Sequence, residues 1–193
     1  MTATTISLAE LSASDCRQRL TALLSPRSSV LLSCGDIPRL PVRLIAIALE
    51  VANATGGFLR LDGLTPYTRL ALQVVDPERR LAIDEANRAS QVGEHPYAVR
   101  LAEDGTVRVL LHKGIGQHPH MNEAASHEWV RGLEATTVEV DLVHIEHLNS
   151  LLVAWLLQLN QGAGSGRCRL VQVGRQAVAQ LTQLRLNHLL SIA

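Results

Sequence analysis

Along the chain, short apolar runs alternate with longer stretches in which apolar residues return at helical spacing. A β-prone run at 4–8 is followed by Ser12, three residues ahead of Asp15, the spacing of a capping box. Cys16, Leu20, Leu23 and Leu24 then share one helical face, and Pro26 ends it. The run SVLLSC at 29–34 has the pattern of a buried strand. Leu44, Ile45, Ala48, Leu49 and Ala52 place a helix over 40–52, Thr55-Gly56-Gly57 breaks it, and FLRLDG predicts a strand. Residues 66–83 read as one further helix, with Asp76-Pro77 as a point at which it can break.

The stretch 84–95 is polar and poorly patterned, and Pro96 follows it, so it is the natural linker. Beyond it, YAVRLA and TVRVLL flank Glu103-Asp104-Gly105, where the Asp-Gly pair predicts a tight hairpin turn. The loop GIGQHPHM leads into an expected helix over 122–133. A strand at 137–142, a helix at 150–161, a strand at 169–173 and a helix at 176–186 complete the pattern. At an offset of about 108 residues the two halves fall into phase. Val30 then meets Val138, Leu32 meets Val140, Leu40 meets Leu148, and Leu49 meets Leu157. Strand–helix–strand units joined by right-handed crossovers imply parallel pairing. The expected architecture is α/β in two domains, 1–90 and 91–193. Each has a mixed central sheet with helices mainly on one face, and the first lacks a clear hairpin at its N-terminal edge.

Composition narrows the partners. Hydrophobic residues make up 47% of the chain, enough for a core, but aromatics are only 3%, so that core is mainly aliphatic. Formal net charge is zero and Lys113 is the only lysine, so there is no basic footprint for nucleic acid. No apolar run reaches the roughly 18 residues that span a bilayer, and no signal-peptide pattern opens the chain. Cys16, Cys34 and Cys168 are odd in number and lie in apolar segments, which predicts buried free thiols in a reducing, cytoplasmic setting.

The run from Asp141 to Val153, DLVHIEHLNSLLV, resembles the core motif of the STAS domain, shared by bacterial anti-sigma-factor antagonists and the cytoplasmic tails of sulfate transporters. The family's motif runs roughly D-L-S-x-V-x-x-I-D-S-S-G-L from a central strand into a helix, and the spacing agrees without a gap. The hairpin and the downstream RLVQVG, QAVAQL and LNHLLSI fit the family's start and end. The resemblance covers about 96–193, and the internal repeat extends it, in degenerate form, to 1–84. Ser150 matches the serine that partner kinases phosphorylate in switching members. Asn149 replaces the aspartate before it, Leu151 the second serine and Leu152 the glycine; the first half has Pro41 and Val42 in place of Asn149 and Ser150.

Two roles therefore compete at Asn149-Ser150. Either residue is a good helix N-cap. Alternatively, Ser150 is a phosphorylation site, where added negative charge suits the helix N-terminus while repelling a partner. The helix that follows carries Leu151, Leu152, Val153, Trp155, Leu156, Leu157 and Leu159, apolar nearly all round. It therefore needs cover from the other half, a second copy of the chain or a foreign partner. Asn149, Ser150, Leu151, Leu152 and Trp155 are the candidate partner-binding residues.

No metal or cofactor site is expected. His118, His120 and His127 cluster in sequence, but no helical His pair or Cys pair supports them, and His144-Ile145-Glu146 lacks the P-C-x-x-C companion of zinc deaminases. The glycine-rich run 162–166 follows a helix and precedes a strand, the reverse of a phosphate-cradling loop. No catalytic set is framed by a nucleophile elbow. The expectation is a non-catalytic interaction module. The resemblance implies an anti-sigma-type kinase or other regulator as partner; the alternatives are an accessory subunit on the ATPase of a lipid transporter, or a constitutive scaffold.

Overall fold

A computed structural model describes residues 4–26, 28–35, 37–75, 81–83, 96–164 and 167–193. The protein is an α/β structure built on two principal sheets. In the first half, β1 (Thr4–Ser7), β2 (Ser29–Ser33), β4 (Phe58–Asp62) and β5 (Leu81–Ile83) form one sheet in that order. All pairings are parallel, so this sheet is not mixed as the sequence suggested. The crossovers are α1 (Ala13–Leu23), α2 (Val42–Thr55) and α3 (Pro66–Val75). Because strand order advances in one direction, right-handed crossovers put all three helices on the same face. Burial agrees: Ile6, Val30, Leu32, Leu59 and Leu61 are buried, while Thr5, Phe58, Arg60 and Asp62 alternate with them and are exposed.

The second half contributes β6 (Tyr97–Leu101), β7 (Thr106–Leu111), β9 (Thr137–Asp141), β10 (Cys168–Val171) and β11 (Ser191–Ile192). Their order is β11-β10-β9-β7-β6, with only the β6–β7 hairpin antiparallel. Gly105 takes the left-handed conformation, φ 88°, that the tight Asp-Gly turn requires. The helices α5 (Ser150–Ala163) and α6 (Arg175–Gln183) cross between the last strands. On the uncovered face, Arg108 and Arg169 both pair with Glu139 between them.

The phase match seen in sequence has a structural counterpart. Strand β2 corresponds in chain order and length to β9, and α2 and α5 are both 14 residues long at the same offset. The order β1-β2-β4-β5 matches β7-β9-β10-β11, with β6 as the added edge.

Two expected helices are altered. The one expected over 66–83 ends at Val75, and 81–83 is the fourth strand, β5. The reason is legible at Pro77, which disfavours helical backbone at the residue before it and removes an N–H donor; residues 76–80 lie outside the described ones, as does the expected linker 84–95. The helix expected over 122–133 is instead a chain of tight turns: Ile115–Gln117, Pro119–Asn122, the one-turn α4 (Ala125–Glu128) and Trp129–Gly132. This segment, the β7-to-β9 crossover, wraps around two buried indoles. The Ser126 carbonyl accepts from Tyr97 Oη at 2.6 Å, Trp129 Nε1 at 3.0 Å and Trp155 Nε1 at 3.1 Å. A continuous α-helix would commit that carbonyl to its own ladder.

The halves are held together at several places. Helix α2 touches β6 and β7, α3 packs on β6 and on Trp129–Gly132, and β3 (Leu40–Pro41) pairs in parallel with β8 (Leu133–Glu134). Arg17 pairs with both Glu50 and Glu103, and Arg43 Nε donates to the Glu103 carbonyl at 2.7 Å. The three cysteines are buried free thiols, as expected; burial pushes Cys16 and Cys34 up to about 11 and Cys168 up to about 12. Among the described residues no helix is long and apolar enough to cross a membrane.

Candidate functional site

The loop between β9 and α5 lies at the carboxyl end of the second sheet, where α/β folds commonly place their sites. Leu142, Ile145 and Leu148 recur every third residue and are buried, which pins the loop to the core. Val143, His144, Glu146 and His147 between them face solvent, and Val143 is 48% exposed. Asp141 fastens the start: one carboxylate oxygen accepts from the Val143 N–H and the other from Gln172 Nε2, each at 2.9 Å.

Asn149 is the N-cap of α5. Its Oδ1 accepts from the Leu152 N–H at 2.9 Å, and its Nδ2 donates to the Gly116 carbonyl at 2.7 Å. The second bond ties the Ile115–Gln117 turn to the helix entrance. Gly116 is needed for that approach, since a Cβ there would lie 2.6 Å from Asn149 Nδ2. Ser150 is the first residue of α5, exposed, and its hydroxyl makes no hydrogen bond among the described residues. Of the two capping candidates, Asn149 therefore does the work and Ser150 keeps a free hydroxyl beside amides that favour negative charge.

The cap and the free hydroxyl should separate in stability measurements. We expect Asn149→Ala to lose about 1 kcal/mol and Ser150→Ala to stay within about 0.5 kcal/mol of the wild type. Equilibrium urea unfolding checks both; equal losses would contradict this division of labour.

The remaining candidates part company. Leu151 is half-buried, but Leu152 and Trp155 are fully buried, so neither forms part of the surface a partner would meet. The reason is the 115–132 crossover, which packs along α5 and covers much of its apolar girth from within the same half. The helix thus does not depend on the other half, a second copy or a partner for that cover. Sequence patterning missed this, because it read 122–133 as one continuous helix rather than a series of tight turns laid along α5.

The first half solves the same edge differently. Pro41 precedes α2 without a side-chain cap bond, and Leu40–Pro41 is paired with the strand β8 from the second half. Leu148 stands where Leu40 does, yet its N–H donates to Gln180 Oε1 at 2.9 Å and its carbonyl accepts from Gln180 Nε2 at 3.4 Å. A side-chain amide thus fills in for a neighbouring strand. No sequence signal marks Gln180 for this role, since it lies far along the chain on α6.

The histidines do not converge. His118 and His120 rings are 5.3 Å apart, and His120 Nδ1 is 2.6 Å from Glu123 Oε1. Burial lowers the pKa of His127, and His144 and His147 are exposed on the loop. Among the described residues no three His, Cys, Asp or Glu side chains are placed to hold a metal. No family model, curated protein or solved structure matches the chain.

Proposed function

We propose that the chain is a non-catalytic, protein-binding regulatory module whose docking surface is the β9–α5 edge, from Val143 to Leu151, switched by phosphorylation of Ser150. The observation that carries this reading is the uncommitted, exposed Ser150 hydroxyl beside a cap that Asn149 alone supplies. A phosphate there adds nearly two negative charges next to first-turn amides, so the fold tolerates it while the surface changes sign. The resemblance to anti-sigma-factor antagonists supports an anti-sigma-type kinase or related regulator as the partner. The exposed Glu146 would strengthen the repulsion of an acidic partner surface after phosphorylation.

A second reading keeps the same edge as a permanent contact, as in an accessory subunit clamped on a transporter ATPase; the exposed Val143 side chain favours it. Affinity capture from the native host separates the two. Wild type and Ser150→Ala should retain the same partner, and Ser150→Asp should bind it at least 10-fold more weakly, the loss expected when a charge faces a like-charged or desolvated contact. Equal retention by all three variants would remove the switch and leave the permanent contact.

A further inference from the structure

A groove of about 740 Å³ runs between the two halves, away from the Ser150 edge. It lies beyond the carboxyl ends of β1 and β2. Leu8, Leu11, Ile37 and Leu44 of the first half supply apolar walls, and the second half closes the far side with Glu134–Thr136 and Arg167. Its size and its place at a junction between halves suit a small molecule.

The polar groups set the ligand's charge. Arg43 and Arg167 both line the groove, and each is held by one hydrogen bond to a backbone carbonyl, Arg43 to Glu103 and Arg167 to Ala135 at 3.3 Å. Each guanidinium has further N–H groups unused among the described residues, available for charge-assisted bonds to an oxyanion. Glu134 is the one acidic side chain on the lining, and it pairs with neither arginine. Two unneutralised cations against one carboxylate leave the groove with a cationic excess above an apolar floor.

We infer that this groove binds a small amphipathic carboxylate, with its apolar chain against Leu8, Leu11, Ile37 and Leu44 and its carboxylate between Arg43 and Arg167. Because the site draws on both halves, the ligand would tighten their junction. This inference stands apart from the Ser150 reading and does not need it.

The test titrates the full chain with octanoate and with octan-1-ol, followed by amide chemical shifts. Octanoate should saturate one site, move the amides of Leu11, Ile37 and Ala135, and bind about 10-fold more tightly than the alcohol. Arg43→Gln combined with Arg167→Gln should reduce octanoate to the level of the alcohol, while the unliganded chain keeps its amide spectrum outside the groove and loses only a few degrees of melting temperature with the bonds to the Glu103 and Ala135 carbonyls. Glu134→Gln should tighten octanoate about 3-fold by removing the opposing charge. The proposal is overturned by shifts confined to other surfaces, by equal binding of acid and alcohol, or by variants that leave octanoate binding unchanged.

Discussion

Trp155→Ala should lower the stability of the chain by about 4 kcal/mol, because it empties an indole-sized volume from a fully buried site. Most of that loss is packing. The Ser126 carbonyl keeps its bonds from Tyr97 and Trp129 when the Trp155 N–H is removed, so no buried acceptor is orphaned. Trp155→Phe, which keeps one six-membered ring but loses the fused five-membered ring and its N–H, should cost about half as much. The tilted contact with the Tyr97 ring, centroids 5.4 Å apart, would survive that change. Urea unfolding of both variants measures the difference. A near-neutral Trp155→Ala would mean that the 115–132 crossover does not bury this side chain.

Gly132→Ala is the second large effect, expected at about 3 kcal/mol through overpacking. A Cβ at this position would lie 2.2 Å from the Tyr67 carbonyl oxygen and 2.8 Å from the Thr68 nitrogen, both backbone atoms of α3 that cannot rotate away. The clash falls where the first half packs on the Trp129–Gly132 turn, so the cost should appear as loosening of α3. Gly162→Ala is the informative control: its Cβ would meet Val130 Cγ1 at 2.7 Å, a side-chain atom able to shift, and should cost about 1 kcal/mol. Hydrogen exchange of the α3 amides, alongside thermal melting, reads the effect. Equal melting of Gly132→Ala and wild type would mean that the halves do not meet there as described.

Much of this architecture can be read from periodicity, because the elements concerned are amphipathic or alternate cleanly. The hairpin was legible from Asp104-Gly105, the first helix from Ser12 and Asp15, and the internal phase from Val30 and Val138 onward. Ser12 indeed accepts from the Asp15 N–H and donates to its carboxylate at 2.6 Å. What escaped was the course of a segment whose pattern suggested one helix over 122–133. The 115–132 crossover is made of single turns whose course is set by where Ser126 must present its carbonyl to three aromatic donors. Three of the chain's five aromatic residues (two Trp, two Tyr, one Phe) meet there, a convergence that composition does not announce.

The candidate site divides along the same line. Asn149 and Ser150 are adjacent polar residues at a helix start, so the pair could be found from sequence. Which of them caps could not, because the decision depends on Gly116, more than thirty residues away, which offers its carbonyl to the Asn149 amide. Leu152 and Trp155 look available only while the segment that covers them is unseen. The pairing of Leu40 with β8, against the Gln180 amide at Leu148, shows one edge geometry satisfied twice by different groups. In the first half that edge is occupied by the second half; in the second half it faces outward.

The most direct test of the account is hydrogen exchange on the complex captured with the wild-type chain, compared with the free chain. Slowed exchange is expected to concentrate at 143–152, with the amides of both sheets unchanged, and that protection should be lost when Ser150 is phosphorylated. Protection elsewhere on the chain, with 143–152 exchanging as it does in the free protein, would contradict it.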